Sequence, residues 1–124
     1  MNAVMQIERA LGNAPVDISS DKRGYDIEST ATDGQSRFIE VKGRVADATT
    51  VTVSKNEILT AINCPDNFIL AIVAVSDHAA HVVYIKTPFN RPPDLSAVSV
   101  NYSIAALRKQ GNVILDRNIA LGGD

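Results

Sequence analysis

The sequence predicts a single domain of the α/β (α+β) class, a mixed β-sheet flanked by helices. Three observations lead there. Stretches with apolar residues at helical spacing are interspersed with short β-branched runs, in the order helix, three or four strands, helix, two strands, helix. The most apolar run, Phe68 to Val75, has the length of a buried strand and falls well short of the roughly 20 residues of a membrane span. At 124 residues, 45% apolar and 21% charged, the chain can bury one core and has little room for two.

The elements follow in order. Val4, Ile7, Ala10 and Leu11 lie at helical spacing, with Glu8 beside Ile7 and Gly12 as the stop. Pro15 opens an extended piece through Ser19, and Ser20 to Gly24 read as a turn. Tyr25 to Thr30 alternate as a strand, with Tyr25 and Ile27 on one face and Asp26 and Glu28 on the other. Asp33-Gly34 supplies the positive φ values of a tight hairpin, and Arg37 to Lys42 form the return strand, ended by Gly43. Val51 to Val53 form a short strand. Ser54-Lys55-Asn56-Glu57 matches a capping box that opens a helix from Lys55 to Asn63 before Pro65. Phe68 to Val75 is the central strand, and Asp77 to Ala80 turn the chain into the strand His81 to Ile85. Thr87 to Asp94, with three of the five prolines, is an ordered loop. Ala97 to Tyr102 is a weaker strand, and Ser103 caps a last helix that Gly111 ends. Val113 to Leu121 reads either as one more strand or as a docking arm, and Gly122-Gly123 as a terminal tail.

Composition excludes several classes. The apolar fraction rules out disorder, and the lone Cys64 rules out a disulfide scaffold. With no secretory signal pattern either, the expected setting is a reducing, intracellular compartment away from membranes. The net charge of −2 lacks the basic footprint of a strong nucleic-acid binder, so any such role rests on a local site.

Chemistry concentrates in Gly24-Tyr25-Asp26 and Phe38-Ile39-Glu40-Val41-Lys42-Gly43. On a strand Glu40 and Lys42 project to one side while Ile39 and Val41 point to the other. The hairpin folds the Asp26 segment back beside them, so two carboxylates and an ammonium converge. Hard divalent cations take oxygen ligands, and Mg²⁺ keeps several waters while using one or two carboxylates. Asp26 and Glu40 could supply these, with the Val41 carbonyl as a neutral third ligand. Such an ion lowers the pKa of a bound water and neutralises charge on a phosphate. Lys42 is placed to orient or deprotonate that water, or to stabilise developing negative charge. An Asp/Glu-x-Lys triplet alone is common, and its weight comes from the strand, the hairpin partner and the upstream helix with Glu8.

These residues resemble the PD-(D/E)xK nuclease superfamily, with its restriction-endonuclease-like fold. There an Asp and an (Asp/Glu)-x-Lys lie on adjacent strands, after a helix that often carries a Glu. Asp26, Glu40 and Lys42 match those positions and Glu8 matches the helix carboxylate; Tyr25 stands where the name-giving Pro would be. More narrowly, Gly24 to Ile27, Arg37 to Gly43 and Ser54 to Glu57 are similar to the NO VEIN C-terminal domain, of unknown function and usually found at the end of larger, including helicase-like, proteins. The resemblance runs from Ile7 to Phe89. It implies catalytic Asp26, Glu40, Lys42 and Glu8, a Mg²⁺ (or Mn²⁺) cofactor on Asp26, Glu40 and Val41, and a DNA, less readily an RNA, substrate. The small size and mild acidity suggest a homodimer or a module of a larger protein, and the resemblance implies helicase-like domains as its linked partners.

Other residues carry competing readings. Lys22, Arg23, Arg37, Arg44 and Lys55 could hold a phosphate backbone or be plain surface charge. Glu57 is read as completing the helix cap with Ser54, with reaching the site as its alternative. His78 and His81 lack the further ligands of a zinc site, and Ser76-Asp77-His78 are sequence neighbours that cannot form a triad. Cys64, Phe89 and Tyr102 read as packing residues. The leading expectation is a metal-dependent endonuclease. The alternatives are a non-catalytic docking module on the same sheet, and a hydrolase of a small phosphorylated molecule.

Overall fold

A computed structural model describes residues 1–121, so the Gly122-Gly123 tail lies outside the described residues. The elements are α1 (Asn2–Ala10), β1 (Ala14–Asp17), a 3₁₀ turn (Ser19–Asp21), β2 (Ile27–Thr30), β3 (Ser36–Val45), β4 (Thr50–Ser54), α2 (Lys55–Asn63), β5 (Phe68–Val75), β6 (Ala79–Lys86), β7 (Ser99–Ser103), α3 (Ile104–Gln110) and β8 (Asn112–Ala120). Six strands form one mixed sheet in the order β1-β2-β3-β5-β6-β8, and β4 and β7 form a separate two-stranded sheet. β3 and β5 pair in parallel from Phe38↔Phe68 to Val45↔Val75, and the other neighbours are antiparallel. The parallel step needs a crossover, and β4 with α2 supplies it. The class is the mixed α+β arrangement that the sequence predicts.

Each face of the large sheet has its own core. Ala3, Val4 and Ile7 of α1 pack on Ile27, Ile39, Ile69, Ala71, Val73, Val82 and Tyr84. On the other face Ile58 and Ala61 of α2, Val51 and Val53 of β4 and Leu107 of α3 cover Phe68, Leu70, Ile72, Val83 and Ile85. β5 is buried from Phe68 to Val73 because both faces are covered, which is why it reads as a continuous apolar run. Burying each of these large side chains contributes about 1.5–3 kcal/mol.

The local signals act as chemistry dictates. α1 ends in a Schellman motif: Gly12 at φ +85 lets its N–H reach the Arg9 carbonyl, and the Asn13 N–H reach that of Glu8. α2 opens on the full capping box of Ser54 and Glu57. In α3 the Ser103 side chain accepts from the Ala106 N–H.

Two details differ from the sequence reading, and two that it left open are decided. Tyr25 and Ile27 lie on opposite faces, because the chain bends at Asp26 and β2 begins only at Ile27. Only Gly34 of the Asp33-Gly34 pair has positive φ; Asp33 instead accepts the Gln35 N–H, in a three-residue connection with one left-handed position. β7 pairs with β4 rather than joining the main sheet. The ambiguous Val113 to Leu121 stretch is an edge strand over Asn112–Ala120, pairing with β6 through a register shift at Tyr84/Ile85.

Candidate functional site

β3 outlasts its neighbour. β2 covers it only from Ser36 to Ile39, whereas β5 pairs with it as far as Val45. Beyond Ile39 the β2-facing edge of β3 therefore has no strand beside it. Asp26 fills the gap: its N–H donates to the Ile39 carbonyl at 2.9 Å, and its Oδ2 accepts the Val41 N–H at 3.0 Å. A strand residue aims its N–H and C=O to the same side, so the Val41 carbonyl also faces the Asp26 side.

Gly24 makes this approach feasible. Its φ is +89, and a Cβ there would stand 2.3 Å from Thr60 Oγ1 and 3.3 Å from Asn56 Nδ2 of α2. Only a glycine brings the chain this close to the helix in that conformation. Tyr25 then stacks on Phe38 with ring centroids 4.5 Å apart and donates to Glu28 at 2.8 Å, fixing Asp26 between them in sequence.

Glu40 and Lys42 alternate with Ile39 and Val41 and share the α2 face with Phe38. Glu40 is 4% exposed. Lys42 Nζ lies 3.2 Å from Glu40 Oε2 and 2.8 Å from Glu57 Oε1, and that same Glu57 oxygen accepts the Ser54 N–H at 2.9 Å. Asp26 and Glu40 line a cleft of about 240 Å³ with Ser19, Lys22, Gly24, Tyr25, Ser54, Asn56 and Glu57.

The charges are strongly coupled. Burial, then the contact with Glu57 and the charge of Asp26, push the Glu40 carboxyl up to about 9 against the opposing pull of Lys42. Burial also works against ionised Lys42 and Glu57. Their mutual hydrogen bond, helped by the Ser54 N–H at Glu57, outweighs it, so the lysine is raised and Glu57 lowered. At neutral pH the metal-free cleft thus holds a protonated Glu40 beside a Lys42–Glu57 ion pair.

The predicted residues separate into two groups. Asp26, Glu40 and Lys22 line this cleft, and Val41 and Lys42 adjoin it through their contacts with Asp26 and with Glu40 and Glu57. Glu8 does not: it lies on the α1 face, across the sheet, fully buried. There it accepts from Arg37 Nε at 2.9 Å, Arg37 Nη2 at 3.1 Å, Asn13 Nδ2 at 3.0 Å and Tyr84 Oη at 2.9 Å. The expected catalytic assistance from Glu8 is therefore corrected. Glu8 follows Val4 by four residues, on the same buried stripe of α1, and its carboxylate is consumed by internal donors. Arg37 is corrected with it, since its guanidinium is committed to Glu8 rather than facing a phosphate.

The remaining cations are dispersed. Arg23 lies 3.3 Å from Asp21 and 3.7 Å from Glu28. Lys55 donates to the Leu95 carbonyl at 2.8 Å, away from the cleft lining. Arg44 lines a separate groove of about 620 Å³ with Val45, Val75 and Asp77, where β3 and β5 end. His81 bonds Asp116, which also binds Arg108 at 2.9 Å. Among the described residues no three His, Cys, Asp or Glu side chains form a ready metal cage. The sequence reading placed Glu57 in the cap; it is in the cap and in the cleft at once. Ser19 and Asn56 were missed, the former because its loop carries no periodic signal. Asn56, between two residues already singled out, could have been found from the helix start itself.

The family model described as Protein NO VEIN, C-terminal, matches residues 1–85. The chain belongs to this family. No curated protein and no solved structure matches it. The NO VEIN C-terminal match covers α1 through most of β6 and so contains every residue lining the cleft. β7, α3 and β8 lie beyond it, although β7 supplies the partner of β4. No helix among the described residues is long and apolar enough to cross a membrane.

Proposed function

We propose that this NO VEIN C-terminal domain is a divalent-metal-dependent nuclease of the PD-(D/E)xK kind, hydrolysing phosphodiester bonds in DNA, with RNA the less favoured substrate. The observation that carries the reading is the overhang of β3, which lets Asp26 and Glu40 line one cleft while Asp26 holds the Val41 N–H and Glu40 contacts Lys42. The element order helix, four strands, helix, strand is compatible with it.

The donor set fits Mg²⁺ or Mn²⁺. Asp26 and Glu40 offer hard carboxylate oxygens and Val41 a neutral one, and such ions use few protein ligands and keep their waters. Bound there, the ion would supply an acidified water and charge neutralisation at the phosphate. Glu40 would surrender its proton on taking up the ion. Lys42 holds its ammonium between the carboxylates, placed to orient an attacking water and to stabilise negative charge on the phosphate. Lys22 and Asn56 offer N–H donors at the rim of the cleft. With so few free cations nearby, tight duplex binding calls for a second copy or linked helicase-like domains.

The test is calorimetric titration of Mn²⁺ into the wild-type domain, Asp26→Ala and Glu40→Ala, with plasmid and single-stranded DNA cleavage followed in parallel. Binding and cleavage that both disappear in the folded variants establish the site. A folded wild-type domain that takes up no Mn²⁺ sinks this reading and favours a non-catalytic docking module on the same sheet.

A further inference from the structure

We propose that Glu57 is a positioning residue that fixes the Lys42 ammonium and locks it to the N-terminal cap of α2. A capping-box glutamate ordinarily satisfies the N-cap N–H and leaves its other contacts to water. Here a single oxygen, Glu57 Oε1, accepts both the Ser54 N–H at 2.9 Å and Lys42 Nζ at 2.8 Å. The Ser54 side chain closes the box from the other direction, accepting the Glu57 N–H at 3.1 Å. Glu57 is thereby held at both its backbone and its side chain, and a rotation that takes its Oε1 away from Lys42 also gives up the Ser54 N–H.

The consequence falls on Lys42. A lysine is a flexible four-carbon stem with a point charge, and unrestrained it samples many rotamers. Lys42 is instead clamped between Glu40 and Glu57, with its side chain only 20% exposed. Glu40 alone is a poor clamp: its contact is longer, 3.2 Å, and it is the carboxylate that the proposed function assigns to the metal. Once Glu40 is so engaged, Glu57 remains to hold the ammonium. Asn56 and Ser54 line the cleft from the same turn, so the cap also sets the position of the cleft wall. The significance of the clamp for catalysis rests on the nuclease reading, whereas the clamp itself does not.

The experiment compares the wild-type domain with Glu57→Ala, Glu57→Gln and Ser54→Ala. Ser54→Ala and Glu57→Ala each remove half of the capping box, so their unfolding midpoints control for loss of the cap. The first readout is the ¹H–¹⁵N correlation of the Lys42 ammonium, assigned by its disappearance in Lys42→Arg. A clamped ammonium exchanges with water slowly enough to be seen; a free one does not. The signal is expected in the wild type and in Ser54→Ala, lost in Glu57→Ala, and partly restored in Glu57→Gln, which keeps an acceptor oxygen. A Lys42 signal that persists in folded Glu57→Ala, or is absent from the wild type, overturns the proposal. The second readout is DNA cleavage, where Glu57→Ala should lower kcat at unchanged KM and Glu57→Gln should recover part of it. Loss of the signal in Glu57→Ala together with no Mn²⁺ uptake by the wild type would leave the clamp standing and remove the nuclease reading alone.

Discussion

Glu8 and Glu40, the two most buried carboxylates among the described residues, face opposite sides of one sheet. They solve burial in opposite ways. Burial pushes Glu8 up, but the Arg37 hydrogen bonds and further donors outweigh it and the carboxyl ends lowered. Glu40 finds too few donors and keeps its proton. The first is a structural ion pair joining α1, β3 and β6, and the second is a buried carboxyl beside Lys42 and Glu57.

Removing Glu8 should therefore cost stability and spare the site. Glu8→Ala leaves Arg37 without its partner, and breaking a buried pair costs about 3–5 kcal/mol. Tyr84→Phe deletes one hydrogen bond to a charged acceptor and should cost about 1.5–3 kcal/mol. Urea unfolding measures both. Tyr84→Phe should bind Mn²⁺ like the wild type; a folded variant that loses the ion would contradict the separation of the two faces.

Glu40 makes the metal-free protein less stable as pH rises. Its pKa is near 4.5 unfolded and about 9 folded, so between those values only the folded state holds the proton. Stability from this group is thus complete below about pH 4.5 and is lost progressively toward pH 9. Glu40→Gln keeps the shape and removes the ionisation. It should stabilise the apo-domain at pH 7 by about 1–3 kcal/mol and flatten the decline, since each pKa unit corresponds to about 1.4 kcal/mol. Thermal unfolding across pH 5 to 9 in chelator gives the answer, and a wild type whose stability rises over that window would contradict it.

Gly24→Ala should damage the site through the backbone. The substitution forces an alanine to φ +89 and drives its Cβ into Thr60 Oγ1. The expected loss is about 2 kcal/mol, of which about 1 is conformational. Adding Thr60→Ala removes the nearest atom, Oγ1, though not the Thr60 Cβ at 3.1 Å, and should recover part of the remainder, a coupling that a double-mutant cycle measures. Full additivity would mean that the helix does not confine this turn.

Thr87 offers a gain instead. It is β-branched, precedes Pro88 and sits at φ +46, a combination disfavoured on all three counts. Its side chain is exposed and bonds only the neighbouring Lys86 carbonyl. Thr87→Gly should raise stability by about 0.5–1 kcal/mol in chemical denaturation, with no change in the cleft.

Local sequence determined much of this protein. The capping box, the Gly12 stop, the apolar run of β5 and the alternation of Glu40 and Lys42 with Ile39 and Val41 are encoded within a few residues of where they act. Propensity, capping and the strand period of two are local physics, and they sufficed for the class of fold and for the segments that meet at the cleft. The tertiary structure decided which side of the sheet each charge faces. It sent Glu8 and Arg37 away from Glu40, because α1 covers the opposite face from α2. It also gave Glu57 its second partner, joined β7 to β4, and set Asp26 against the free edge of β3. Those outcomes depend on how far β2 extends along β3 and where the crossover returns, distances between segments that neither periodicity nor spacing along the chain contains.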